Sequence, residues 1–165
     1  MTTAVLGRFC EVRVFRPEDY AVALESRSPA ASPAWRPDDP LAMGREHART
    51  GASFSAWLDG RLLACAGVMV PGWPGLGMAW AVLTPLGRAH PVMIHRTTKA
   101  HLRAVAGQHG LRRVEAKVFP AHRRAVAWIE ALGFEAEAVH PLWGPEGETA
   151  ITYVWFPEVG HATDR

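Results

Sequence analysis

The spacing of hydrophobic positions changes several times along the chain, and each change marks an element. Cys10 to Phe15 alternates, with β-branched or aromatic residues at Val12, Val14 and Phe15, which predicts a first strand ending at Arg16-Pro17. Asp19 is placed to cap a short helix over Tyr20 to Glu25 by accepting from first-turn amides. Pro29, Pro33 and Pro37 make Ser26 to Asp39 a loop. Asp39-Pro40, a cap followed by a first-turn proline, starts a second helix running to about Arg49. Ser53 to Leu58 alternates again, Asp59-Gly60 supplies a hairpin turn, and Arg61 to Val70 returns as a mostly apolar strand. Pro71 to Gly77 reads as a turn and Met78 to Leu83 as a further apolar strand. Gly72, Gly75 and Gly77 have no following Lys-Ser/Thr, so they give backbone freedom to the turn and not a phosphate loop.

After Pro85, apolar or small residues recur at Ile94, Thr98, Leu102 and Val105, with Arg96, Lys99 and Arg103 off that stripe, predicting an amphipathic helix that stops at Gly110. Arg113 to Phe119 is a strand. Ala125, Trp128, Ile129 and Leu132 form a second helical stripe, which Gly133 ends and Phe134 closes in a Schellman-type turn. Phe134 to His140 and Thr149 to Phe156 complete the strands. The order is β-α-α-β-β-β-α-β-α-β-β, an α/β chain of about seven strands and about four helices, read as a single domain over residues 1–165 with no internal repeat.

Composition narrows the function classes. The chain has 165 residues, 48% hydrophobic and 21% charged, which excludes disordered, collagen-like and coiled-coil classes. Apolar stretches such as Leu62 to Val70 are far shorter than the roughly 18 to 20 residues of a membrane helix, so no membrane role is expected. Met1 to Phe9 lacks the features of a signal peptide, and Cys10 and Cys65 show no CxxC spacing, so a reducing, cytoplasmic compartment is expected. The 18 basic and 16 acidic residues nearly cancel, and Trp80 and Trp128 sit in apolar periodic segments, so no nucleic-acid partner is expected. Trp73 and Trp143, in Gly/Pro loops, are candidates for a substrate pocket or partner surface. The eight histidines form no HxH or i,i+4 pair, and no metal site is expected.

The element order, Glu18-Asp19 after the first strand and the run from Ala125 to Leu132-Gly133-Phe134 before two final strands resemble the GCN5-related N-acetyltransferase (GNAT) fold over nearly the whole chain. The resemblance implies a mixed, mostly antiparallel sheet and acetyl-CoA as cofactor. It implies direct attack of an amine on the thioester, the acceptor being a small-molecule or protein amine. In that family the strand matching Met78 to Leu83 splays from its neighbour to hold the pantetheine arm. A Q/R-x-x-G-x-G/A loop then holds the pyrophosphate on backbone amides at a helix N-terminus. Here the loop reads Arg88-Ala89-His90-Pro91-Val92-Met93. Arg88 fits, but Pro91 has no amide and Met93 adds bulk. Arg88, His90, His95 and Arg96 can offset this with side-chain charge. The bland alternative is a helix that simply begins at Pro91 among solvated basic residues.

The resemblance thus assigns Trp80, Val82 and Leu83 on the strand, Arg88, Ala89, His90, Val92 and Met93 after it, and His122 to the cofactor. It places His122 as cofactor partner or acid; Glu115, on the strand before that helix, is a candidate proton acceptor without diagnostic spacing. Glu46, His47, Glu146 and Glu148 are other candidate bases, and Tyr153 reads as sheet packing. Where the family has a tyrosine that protonates the leaving thiolate, this chain has Ile129, which cannot; His122 is equally an N-terminal helix histidine facing water beside Arg123 and Arg124. The eroded loop and missing tyrosine are also similar to the degenerate GNAT-like proteins of T7-type phages and prophages. That implies the alternative of a catalytically impaired, virion-associated protein with a phage-protein partner, beside a possible homodimer.

Overall fold

The computed structural model describes residues 10–27, 37–49 and 52–157. Most of the proline-bearing loop and the N-terminal segment behind the export expectation lie outside them. Seven strands, β1 (Cys10–Val14), β2 (Ser53–Leu58), β3 (Arg61–Met69), β4 (Leu76–Leu83), β5 (Arg113–Val118), β6 (Glu135–His140) and β7 (Ala150–Trp155), form one sheet in the order β1-β2-β3-β4-β5-β7-β6. Every pairing is antiparallel except that of β4 with β5. The helices are α1 (Pro17–Glu25), α2 (Pro40–Ala48), α3 (Pro85–Ala89), α4 (Pro91–His109) and α5 (Arg123–Ala131).

The expected turn chemistry is present. Asp59 and Gly60 both have positive φ, 48° and 74°, as a two-residue hairpin following the right-handed twist requires. Gly110 ends α4 in the left-handed region at φ 59°. At the end of α5, Gly133 has φ 96°, its amide donates to Glu130 O, and the Phe134 amide donates to Ile129 O, which is the Schellman closure.

Two local readings are corrected. α1 begins at Pro17 with Arg16 as an uncapped N-cap, so Asp19 lies inside the first turn and caps nothing. Its carboxylate instead accepts from Ser55 Oγ at 2.7 Å, because a buried hydroxyl on β2 needs a partner more than a solvated helix end does. The segment after β4 contains an additional short helix, α3, whose last two residues, Arg88 and Ala89, are the first two of the Arg88–Met93 run matched to the phosphate loop. Thr84 caps it, accepting from the Gly87 amide at 3.1 Å, and Pro85 follows the cap as the first helical residue.

The sheet separates two layers. α1 and α2 cover β3 and β4 on one face, where Phe15, Tyr20, Leu24, Cys65 and Val82 pack together. On the other face α4 and α5 cover a core containing Val68, Leu102, Val105, Val114, Ile129, Leu132, Phe134 and Tyr153, continued by Phe54, Leu63 and Ile94. β3 carries a bulge at Leu63, since Ala56 pairs with Ala64 but Trp57 pairs with Leu62. The freed Leu63 carbonyl accepts from the Thr84 amide at 2.9 Å and from Thr84 Oγ1 at 3.0 Å, and Thr84 Oγ1 also lies 2.9 Å from Leu62 O. A Cβ on Gly87 would lie 2.1 Å from that same Leu63 oxygen. Gly87→Ala therefore forces α3 off β3 and should destabilise the protein by about 2 kcal/mol or more in urea unfolding; an unchanged midpoint would show that the approach is not tight.

Candidate functional site

β4 and β5 pair over only three residues each, Leu76–Met78 against Arg113–Glu115. Beyond Met78 and Glu115 the strands part. Each remains tied to its other neighbour, β4 to β3 as far as Leu83 and β5 to β7 as far as Val118. The edges at Ala79 to Leu83 and Ala116 to Val118 thus have no ladder partner across the gap. Backbone donors and acceptors turned into a cleft without such partners require them from something else.

A cavity of about 160 Å³ occupies this gap. Ala79, Trp80 and Ala81 line it from β4, Ala116, Lys117 and Val118 from β5, and Thr98, His101, Ala125, Trp128 and Ile129 from α4 and α5. The wall is mainly apolar, with polar atoms at a few points, the usual character of a ligand site. Three of the lining residues also carry a side-chain polar atom, Trp80 Nε1, Thr98 Oγ1 and Trp128 Nε1, that is buried without a hydrogen-bond partner. Thr98 is only 8% exposed. Buried donors of this kind each cost about 1 to 3 kcal/mol unless a partner is supplied.

The residues singled out from sequence divide among several places. Trp80 lines the cavity. Val82 points to the α1/α2 face, in the cluster with Phe15 and Tyr20, while Leu83 and Met93 pack beside Ile94 on the other face. Arg88 and Ala89 are in the last turn of α3, and His90 is the N-cap of α4 without a side-chain cap bond. Val92 is exposed. His122 is the N-cap of α5 and does not line the cavity. Glu115 is the last β5 residue paired to β4, and its Oε1 lies 2.6 Å from Arg113 Nε. Arg113 also bonds both carboxylate oxygens of Glu137, and these two carboxylates raise the guanidinium's pKa. Sequence reasoning missed Thr98, His101, Lys117 and the small residues Ala79, Ala81 and Ala116 as cavity residues. The signal lies in strand alternation combined with the pairing register, and pairing is a long-range fact.

The backbone after β4 limits anion binding. Arg88 N donates to Thr84 O and His90 N to Gly87 O, so the α3 turn consumes amides that an open loop would present. Pro91 has none, and Ile94 N donates to His90 O. Val92 and Met93 keep the two amides without intrahelical acceptors at the α4 N-terminus.

On the α1/α2 side, Trp80 is held by aromatic contacts. His47 stacks on it with ring centroids 3.9 Å apart, while Phe15 and Tyr20 meet it edge-on. His47 is 6% exposed with Nδ1 unpartnered, and burial depresses its pKa from 6.5 to about 4 despite nearby Glu46. Burial also lowers His101, against the opposing effect of its 3.1 Å contact with Ala52 O. Burial and the Ser55 hydroxyl act oppositely on Cys65, and burial prevails, pushing the thiol up to about 12. Both cysteines are free thiols. Among the described residues no cluster of three His, Cys, Asp or Glu side chains could hold a metal, and no helix is long and apolar enough to cross a membrane.

No family model matches the chain, and no curated protein matches it. Solved structures do. A ribosomal-protein-S5-alanine acetyltransferase from Vibrio fischeri superposes with a TM-score of 0.72 at 14% identity, covering 96% of this chain and 98% of that one. A putative acetyltransferase from Salmonella typhimurium, solved with its cofactor acetyl-CoA, gives 0.72 at 15% identity over 94% and 98%. A spermidine N-acetyltransferase from Vibrio cholerae gives 0.70 at 10% identity over 89% and 93%. The chain has the GNAT fold, with the mixed, mostly antiparallel seven-stranded sheet that the sequence resemblance implied. Identities this low carry the fold and not the activity. The phage resemblance gains no support from these neighbours.

Because His47 is buried neutral, the unfolded chain binds its proton more readily than the folded one. Stability is then lost as pH falls from 6.5 toward 4. Between pH 7.5 and 4.5, His47→Phe should lose less stability than the parent by about 2 kcal/mol in urea unfolding. Parallel losses in the two proteins would mean that His47 titrates normally.

Proposed function

We propose that the chain is an acyl-CoA-dependent N-acyltransferase in which an amine attacks acetyl-CoA directly. The supporting observation is the parting of β4 from β5 around an apolar cavity with unpartnered backbone edges. Acetyl-CoA, when bound, supplies an acyl group activated as a thioester. The pantetheine arm fits the cleft, because an extended chain carrying amides can take the place of a missing strand between Ala79–Leu83 and Ala116–Val118. Trp80, Thr98 and Trp128 contribute to the walls of the same space.

The phosphate end fits less well. Val92 and Met93 contribute two amides at the start of α4, and Arg88 and His90 contribute side chains at the α3–α4 junction. This is a sparse cradle, and the predicted consequence is weak acetyl-CoA binding. Glu115, on the face away from α4 and α5 where the strands part, is the group assigned to take the amine's proton, with Arg113 holding its carboxylate in place. His122, at the start of α5, is assigned to the cofactor side.

One observation favours a slower relative of such enzymes. Ile129, at the position the resemblance gives to a proton-donating tyrosine, lines the cavity and is buried, so it presents only hydrocarbon there. Direct transfer driven by proximity survives the loss of that acid at reduced rate.

Millimolar acetyl-CoA should raise the melting temperature, since a ligand bound only by the folded state stabilises it. Pro91→Gly restores an amide at the first position of α4 and should tighten acetyl-CoA about threefold to tenfold while leaving pantetheine, which lacks the pyrophosphate, unchanged. Absence of any shift with either ligand would remove the cofactor from this cleft; equal tightening of both would move the pyrophosphate away from α4.

A further inference from the structure

Strand alternation places Arg113, Glu115 and Lys117 on the face of β5 opposite Val114, which lies in the core under α4 and α5. Thr152 of β7 pairs with Lys117, and Ala138 of β6 pairs with Thr152. Three side chains converge there. Lys117 Nζ donates to Thr152 Oγ1 at 3.2 Å, and His140 Nε2 lies 2.7 Å from the same oxygen. Trp143, in the loop between β6 and β7, lies under the ammonium at 5.6 Å from Nζ to ring centroid and is steadied by Phe119 at 5.9 Å.

The charges of this face are distributed unevenly. Glu115 and Glu137 are both engaged by Arg113. Glu148 accepts from the Glu146 amide, and so closes its own loop. Among the described residues no carboxylate lies within ion-pair distance of Lys117. Lys117 is also the first β5 side chain on this face beyond the last pair with β4, and it lines the cavity. An exposed ammonium, oriented by a buried hydroxyl and an aromatic ring at the mouth of a cleft, is arranged to receive an anion.

We propose that Lys117, backed by Thr152, His140 and Trp143, is an anion-recognition site for the acceptor, and that the acceptor is an amine that also carries a carboxylate, as an α-amino acid does. The proposal deepens the acyltransferase reading and rests on it for the word acceptor, but the site is a binding site whether or not transfer occurs. The carboxylate ion-pairs with Lys117 at the cleft mouth, so the amine of the same small molecule is held beside the parting of β4 and β5. Polyamines, which are all cation, meet like charge at Lys117 and find the nearby carboxylates already held by Arg113.

Direct binding to the full chain tests this by calorimetry. The probes are the L-α-amino acids, their carboxamides, O-phosphoethanolamine and spermidine, with acetyl-CoA titrated separately. At least one amino acid should bind tenfold or more tighter than its carboxamide and than spermidine. Lys117→Gln should remove that preference with an unchanged melting temperature, and Lys117→Arg should retain most of it. Tightest binding of O-phosphoethanolamine would overturn the carboxylate in favour of phosphate. Equal binding of acids and carboxamides, preferred binding of spermidine, no binding of any probe, or no effect of Lys117→Gln would overturn the site. Amino-acid binding without acetyl-CoA binding would leave the site standing and sink the acyltransferase reading instead.

Discussion

Two neighbouring strands held by different partners cannot stay together along their whole length, and the architecture of this protein follows from that constraint. β4 is drawn toward β3, because the bulge at Leu63 turns a carbonyl outward and Thr84 closes on it with both backbone and side chain. β5 is drawn toward β7 by five consecutive pairs. They share a short ladder at one end, where a Cβ on Gly77 would lie 2.5 Å from Val68 Cγ1 and leaves no room for a side chain. From there they separate, and the helices on one face and the aromatic cluster on the other close the cleft without filling it. The cavity is thus a consequence of sheet topology, and the residues that line it are mostly small or apolar because they face a gap between layers.

The same topology distributes the chemistry. On the α4/α5 face the cleft is lined mainly by apolar side chains, with no carboxylate among the lining residues, which suits a neutral ligand. On the opposite face it has Glu115, Lys117, Thr152 and His140 in adjacent strands, which suits an incoming polar acceptor. In the proposed reading the phosphate end is the weak part. Thr84 and Pro85 start α3, whose own hydrogen bonds use the Arg88 and His90 amides.

Much of the fold was legible because local signals and burial agree in it. Asp59-Gly60, Gly110 and Gly133-Phe134 state their backbone conformations outright, and the stripe Ile94, Thr98, Leu102, Val105 identifies the buried side of α4. Asp19 was misread because its partner, Ser55, lies 36 positions away and nothing local announces it. α3 was overlooked although Thr84-Pro85 is the same kind of start signal as Asp39-Pro40; five residues are too few to show a period. The convergence of Lys117, Thr152 and His140 was invisible for a different reason. Alternation gives each residue a face, but only the register of three strands brings those faces into one row.

Amide hydrogen exchange with and without acetyl-CoA tests the central claim most directly, since it reads the strand edges themselves. The account predicts that saturating acetyl-CoA slows exchange in Ala79 to Leu83 and Ala116 to Val118, with little change in β2 or β6. Slowing elsewhere with those edges untouched, or no slowing at a concentration that saturates binding, would contradict it.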